Sequence, residues 1–510
     1  MRQPQILIID LGSQYTLVIG RSLRELGYRS VILSPKKADA WLKKNSPKGI
    51  ILSGGSASVY EENAPSPPHE ILESGVPILG ICYGMQWLAQ NLGGKIIASR
   101  DNKEYGEIHV KVIAEDPLFS EIYGVRTAWA SHGDSVKTLP NGFAPIALSK
   151  GANEKITYGA MGDKRLKIWG VQFHPEVAET EDGKIILNNF AEKICKIEKD
   201  WKPHDIISDI QKEISIRCQG KAIIGFSGGV DSTTLSAAIA PALGNNLVAL
   251  CIDTGALRQD EIFEIQKNAN AAGVILKIID AKDRFQKALR DAIDAEVKRK
   301  IFKQVYKEIF EEEAEKAEAE YIVQGSLATD FIESGSAGKA DLIKSHHNIG
   351  LDSRLKELHP FYELFKYEIR ELARALGLPS SISERQPFPG PGLFIRVIGA
   401  PPTVERLNIV RWADTEVTRI LKNNKIYDDI SQLVVALNCC PSVGVKGDGR
   451  VYAPSIIVRA VSTSDFMTAK GYQFPADIRR EITQTVTKHP EIVRCWFDET
   501  DKPPATTELE

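Results

Sequence analysis
Two short strings hold the residue types that chemistry needs. Gly80-Ile-Cys82-Tyr83-Gly84 sets a thiol between glycines two residues away on either side. Apolar residues 76–79 precede it, and residues 85–92 carry apolar side chains at helical spacing, so the string predicts a strand, a tight turn and a helix. The start of that helix supplies amide N–H groups and a positive dipole end, which favour a thiolate. The five residues alone fit a buried structural cysteine equally well. A base decides between the two. Gly170-Val-Gln-Phe-His174-Pro-Glu176 ends an apolar stretch, residues 166–173. If both stretches are strands of one parallel sheet, their ends share an edge. His174 then reaches Cys82, and Glu176 can hold the imidazole tautomer, which is the set needed for nucleophilic attack on an acyl carbon. The second string is Ser227-Gly-Gly-Val-Asp-Ser232, between a predicted strand at 221–226 and a predicted helix at 233–242. A glycine-rich loop there can hold a phosphate through backbone N–H groups and the helix dipole. It lacks the GxxxxGK[ST] spacing of a Walker loop.

The elements that must position these groups follow from the chain on either side. Residues 5–195 alternate short apolar strands (5–9, 30–33, 49–52) with amphipathic helices such as 14–26, which predicts a parallel α/β sheet. Gly54 and Gly55 follow a strand end. They are either a plain turn or half of an oxyanion hole, with the Gly54 N–H beside that of Tyr83. With Cys82, His174 and Glu176, the stretches Asp10-Leu-Gly-Ser13-Gln14, Ser53-Gly-Gly55 and Ser131-His-Gly-Asp134 resemble the class I (triad) glutamine amidotransferases. The resemblance spans about residues 5–195. It implies that Cys82 attacks the glutamine amide, His174 shuttles the proton and Glu176 orients His174.

Ser227–Ser232 in its strand–helix setting resembles the PP-loop of the N-type ATP pyrophosphatases. That resemblance implies a loop (Ser227, Gly228, Gly229, Val230, Asp231, Ser232) gripping pyrophosphate, with Asp231 on Mg²⁺, a hard cation served by carboxylate and phosphate oxygens. Asp253-Thr-Gly255-Ala-Leu-Arg258, after the predicted strand 247–252, matches the family's adenosine-side string. Residues 284–320 predict two Lys/Glu-rich helices, with 311–320 a solvated face. Residues 334–341 are small and polar, fit for a mobile lid. Lys344, His346 and His347 could line an anion site beneath it or sit in a solvated loop. Pro387-Phe-Pro-Gly-Pro-Gly392 and Lys502-Pro-Pro-Ala-Thr follow.

The order of these parts resembles the glutamine-hydrolysing GMP synthetases over nearly the whole chain. The resemblance implies adenylation of xanthosine 5′-monophosphate (XMP) by ATP, then displacement of AMP by ammonia from glutamine. It assigns Asp330, Glu333, Lys344, His346 and His347 to the lid and adenylation region, and Lys502 and Glu508 to nucleotide contacts. It also implies a homodimer formed through the C-terminal domain. This chain departs from the family pattern at Ala328-Thr329, Gln386, Phe394 and Leu509, near the expected nucleotide site. Other PP-loop amidotransferases and a catalytically dead nucleotide sensor are the rival readings. The intact Cys82, His174, Glu176 and PP-loop weigh against the second.

The expected architecture is two doubly wound α/β domains, at 1–198 and 199–385, followed by a smaller α+β dimerisation domain at 386–510. A length of 510 residues accommodates them at about 150 residues per domain. A net charge of −3 argues against a dedicated nucleic-acid binder. Seven cysteines without metal-type CxxC spacing fit a reducing compartment. No apolar run approaches the roughly 18 residues of a membrane span, and no leader is visible, so a cytoplasmic location is expected.

Overall fold
The structure, a computed structural model, describes residues 4–98, 104–150, 156–333, 355–383, 385–463 and 469–510. They form two compact units. The first comprises the described residues of 4–206, 326–333 and 361–365, and the second those of 207–325, 355–360 and 366–510.

In the first unit, β1 (Ile6–Ile9), β2 (Ser30–Leu33), β3 (Gly49–Leu52) and β4 (Ile78–Ile81) are parallel, in the order β2-β1-β3-β4. Every residue of β1, β3 and β4 is buried, which is why these strands are apolar throughout instead of alternating. A small separate pair is formed by β5 (Lys95–Ala98) and β8 (Asp134–Thr138). The main sheet continues beyond β4 through β6 (Glu104–Val112), β7 (Val125–His132), β9 (Ala144–Lys150), β10 (Ile156–Asp163) and β11 (Ile168–Val171), in the order β4-β11-β10-β9-β6-β7. Of these added strands only β11 pairs in parallel, with β4; the other pairs among them are antiparallel. The expectation of a wholly parallel sheet is therefore corrected to a mixed one. Residues 164–167 are too few to carry a crossover helix, so β10 and β11 can pair only as a hairpin.

The second unit holds β12 (Ala222–Gly225), β13 (Leu247–Asp253), β14 (Leu276–Asp280), β15 (Tyr321–Val323) and β16 (Lys356–Leu358). They form an all-parallel sheet in the order β14-β13-β12-β15-β16. Chain order reverses between β12 and β15, and a crevice opens outside the strand ends at such a switch point. The two helices expected across 284–320 are Lys282–Leu289 and Ala295–Lys316. Asp294 caps the longer one, accepting from the Val297 N–H at 3.0 Å. Glu313 alone of its acidic run is buried, paired with Lys277 and Lys316.

A third sheet in this unit is built on a long antiparallel hairpin, β18 (Gln432–Lys446) with β19 (Gly449–Ser462), after the short β17 (Val397–Ile398). β20 (Lys470–Gly471) and β21 (Arg494–Asp498) pair with β19, and β17 pairs with β18. One hydrophobic cluster includes Ile223 and Leu250 of the parallel sheet, Phe394, and Leu437 and Ile456 of the hairpin. Among the described residues, no helix is long and apolar enough to cross a membrane.

Candidate active site
The strand β4 runs straight into Cys82, whose φ of 52° and ψ of −105° are rare for a residue with a side chain. Such a backbone costs roughly 1–3 kcal/mol and persists only where neighbours enforce it. Two close approaches do so. A Cβ on Gly80 would lie 2.5 Å from the Gly84 carbonyl carbon, and one on Gly84 would lie 2.5 Å from Leu52 O. The turn thus delivers Cys82 to the first position before helix Tyr83–Asn91.

Beside it, β11 is in parallel register with β4, Ile81 opposite Val171, and Cys82 N donates to Val171 O at 2.8 Å. Three residues further on, His174 N donates to Trp129 O at 3.0 Å, and its carbonyl accepts from Thr180 Oγ1 at 2.6 Å. This pins the backbone of His174. The ring is held by Glu176, with Nδ1 and Oε1 2.7 Å apart, and is edge-on to Tyr15 at 5.0 Å. Burial alone would lower the imidazole's pKa. The adjacent Glu176 carboxylate and the Cys82 sulfur overcome that and raise it well above its ordinary value.

Gly54 is in van der Waals proximity to the base: a Cβ there would sit 3.0 Å from His174 Cε1. The Gly84 N–H is spent on Ser53 O at 3.1 Å. Among the described residues, the N–H groups of Tyr83 and Gly54 have no protein acceptor, as an oxyanion site requires. The Tyr83 side chain turns elsewhere, its hydroxyl donating to Pro65 O at 2.7 Å. Burial, with Glu61 nearby, pushes that phenol up to about 12. Gln172, fully buried, directs Nε2 to Cys82 Sγ at 3.9 Å.

In the second unit, β12 ends at the loop Ser227-Gly228-Gly229 and helix Val230–Leu243 follows. Gly228 has φ +69°, and a Cβ there would lie 2.8 Å from Ile265 Cγ1, so the position accepts only glycine without strain. Its carbonyl is tied back by Asn268 Nδ2 at 3.0 Å and Arg385 Nη1 at 2.8 Å. With that oxygen turned away and held, the loop can present N–H groups, although that of Gly229 donates to Ser227 Oγ at 3.3 Å. Ser227 and Ser232 hydroxyls lie 3.2 Å apart across its mouth. Asp231 Oδ2 is paired with Lys366 Nζ at 2.5 Å, while Oδ1 is buried without a hydrogen-bond partner. That orphaned oxygen fits a hard cation, and no group of three or more metal-binding side chains occurs among the described residues. Asp253 at the end of β13 takes Lys282 Nζ at 3.0 Å and the Gly255 N–H at 3.0 Å.

Residues 7–194 match the family described as glutamine amidotransferase class-I, and residues 419–509 that described as GMP synthase C terminal domain. The chain is 42% identical over 519 residues to the glutamine-hydrolyzing GMP synthase of Aquifex aeolicus, covering 100% of both. It is 41% identical to that of Thermus thermophilus, covering 99% of this chain and 100% of the relative. The enzyme of Ligilactobacillus salivarius is likewise 41% identical, with 99% of this chain and 98% of the relative covered. The chain belongs to the glutamine-hydrolysing GMP synthases.

Within this GMP synthase fold, Cys82, His174 and Glu176 come together. Gln172 was missed. Its only signal was its place two residues before His174 in the 170–176 string. Asp330 lies in the first unit, where Oδ2 accepts the Leu327 N–H at 2.7 Å at the start of helix Ala328–Glu333. The Glu333 side chain, the lid at 334–341, and Lys344, His346 and His347 lie outside the described residues. Lys502 pairs through its backbone with Ala469, so residues 501–510 are not a frayed end. Glu508 is held by Arg396 and Gln432.

Two of the departures turn out to be structural. Phe394 is fully buried against Phe285, ring centroids 5.9 Å apart, so its ring faces the core and not a nucleotide. Gln386 fastens its loop to the hairpin, donating to Ile430 O and accepting from Leu433 N. Ala328 is also buried.

Proposed function
We propose that this GMP synthase aminates XMP to GMP with ATP and with nitrogen released from glutamine. The carrying observation is the buried His174–Glu176 pair set against a strained Cys82. Cys82 attacks the glutamine amide carbon, His174 passes the proton to the leaving ammonia, and the Gly54 and Tyr83 N–H groups receive the oxyanion. Water then frees glutamate from the acyl-enzyme.

At the second site the XMP 2-oxygen attacks the α-phosphorus of ATP and pyrophosphate leaves into the 227–232 loop. Ammonia then displaces AMP from the adenyl-XMP intermediate. A ring oxygen is a poor leaving group, and adenylation makes it a good one. Asp231 would hold Mg²⁺, which would neutralise phosphate charge when bound. Asp253 and Gly255 serve the adenosine side; Asp330, Glu333, Lys344, His346 and His347 the lid and adenylation region; Lys502 and Glu508 the acceptor. We further assign domains at 1–198, 199–385 and 386–510, a homodimer through the last, and a cytoplasmic location. Exposed Val445, Tyr452 and Trp496 on the hairpin sheet support the dimer.

The test is AMP release with Mg-ATP, glutamine and a panel of acceptors. Release with XMP alone is expected. Release with another acceptor and not with XMP would overturn the assignment.

A further inference from the structure
Away from the two loops, the second unit contains a chain of alternating charges whose two central members are buried. Arg258 Nε lies 3.4 Å from Asp414 Oδ2, and Asp414 Oδ1 accepts from Arg396 Nη1 at 3.1 Å. Arg396 in turn grips both oxygens of Glu508, at 3.2 Å from Nη2 and 3.4 Å from Nε, and Gln432 Nε2 adds a third bond at 2.9 Å. Arg396 is 1% exposed and Asp414 4%. Phe388 receives both guanidinium groups on its ring, Arg258 at 4.3 Å and Arg396 at 5.1 Å from the centroid.

Four distant stretches of chain meet here. Arg258 belongs to the loop after β13, Phe388 and Arg396 to the Pro/Gly loop and the turn after it, Asp414 to helix Val404–Asn423, and Glu508 to the 501–510 segment. Stability alone does not call for this arrangement. Withdrawing the Arg396 and Asp414 charges from water is costly, and an apolar pair of similar volume would often serve as well. What an ionic chain does provide is register: each carboxylate oxygen is committed to particular donors, and bidentate guanidinium geometry tolerates little displacement. The two ends of the chain carry different strings. Arg258 ends the adenosine-side string, and Glu508 is the acceptor-side carboxylate.

We propose that Asp414 and Arg396 are positioning residues that hold Arg258 and Glu508 in fixed register, so that the ATP side and the acceptor side of the synthetase site are set by one shared network. This rests on the reading of Glu508 as an acceptor contact. Phe388, clamped between the two cations, transmits the same constraint to the Pro/Gly loop.

The experiment uses the full chain with ammonium salts as nitrogen source, so that the glutaminase does not enter. Asp414→Asn keeps the shape and removes the charge. It is expected to raise KM for ATP and for XMP together, each on the order of tenfold, with kcat within about threefold. Paired with Glu508→Gln in a double-mutant cycle, its effect on the XMP KM is expected to be less than additive, whereas a general structural defect would add. If Asp414→Asn does not fold, Arg396→Lys, which loses the bidentate grip, decides the matter by the same KM and kcat split. A rise in only one nucleotide's KM, or in neither, overturns the proposal. If Glu508→Gln raises the XMP KM while Asp414→Asn does not, the network fails and the acceptor reading stands. If Glu508→Gln leaves the XMP KM unchanged, the acceptor reading fails and the proposal with it.

Discussion

His174 Nδ1 lies 2.7 Å from Glu176 Oε1, with both side chains almost wholly withdrawn from water, at 3% and 0% exposure. Glu176 Oε2 is buried with no hydrogen-bond partner. The carboxylate therefore directs its charge at one ring, and the imidazolium is favoured despite the burial that opposes it.

That pair makes stability depend on pH. Because the folded His174 pKa is raised, the contribution is complete below the ordinary histidine value near 6.5 and is lost as pH rises through the folded value. Glu176→Gln removes the main cause of the elevation. Thermal unfolding is expected to show the variant well below the parent at pH 6, with the gap narrowing as pH rises through the folded value. A gap independent of pH would contradict the pairing. Glutamine hydrolysis by the same variant is expected to fall about 10²-fold or more, through loss of the oriented tautomer.

Cys82→Ala removes the nucleophile and leaves the second unit intact. Glutamine-driven GMP formation is expected to drop by at least ~10³-fold, while turnover with ammonium salts stays within about threefold. Parallel loss of both activities, measured by GMP formation, would refute the division of labour.

Asp231→Asn is expected to lower turnover with either nitrogen source, by about 10²-fold, because activation of XMP precedes both. The measurement is pyrophosphate release with glutamine and, separately, with ammonium. It also leaves Lys366 without its carboxylate partner, so a control at Lys366 separates the two effects. Unimpaired pyrophosphate release would remove Asp231 from the site.

Lys298 is fully buried, and its ammonium is shared between Val397 O and Glu510 Oε2, the latter at 3.2 Å. Arg299 also bonds the Glu510 backbone oxygen, and Gly399 N donates to Glu510 Oε1. Glu510→Gln strands a buried cation and is expected to destabilise the second unit by roughly 2 kcal/mol. Lys298→Met added to it is expected to recover part of the loss, since an apolar residue suits the site once the carboxylate is gone. Chemical denaturation of the single and double variants measures both.

The legible parts of this protein were those written in short spacings. Gly80-Ile-Cys82-Tyr83-Gly84 specifies a strained elbow because only small residues allow strand and helix to approach so closely. His174 and Glu176 pair across two positions, and Ser227–Ser232 combines a forced positive φ with a helix start. Such features depend on the backbone of a few neighbouring residues, so composition and order were enough to bring out these strings and the layered α/β architecture.

Partnerships across the chain were decided only by the tertiary structure. The antiparallel half of the first sheet, Gln172 beside the thiol, and Phe394 in the core had no periodic signature. Neither did the pairs Arg396–Glu508 and Lys298–Glu510, whose members lie 112 and 212 positions apart. A buried charge can be tolerated only where an opposite charge is brought to it. Which charge that is depends on how the sheets stack and where the Pro/Gly loop turns, which no local pattern encodes.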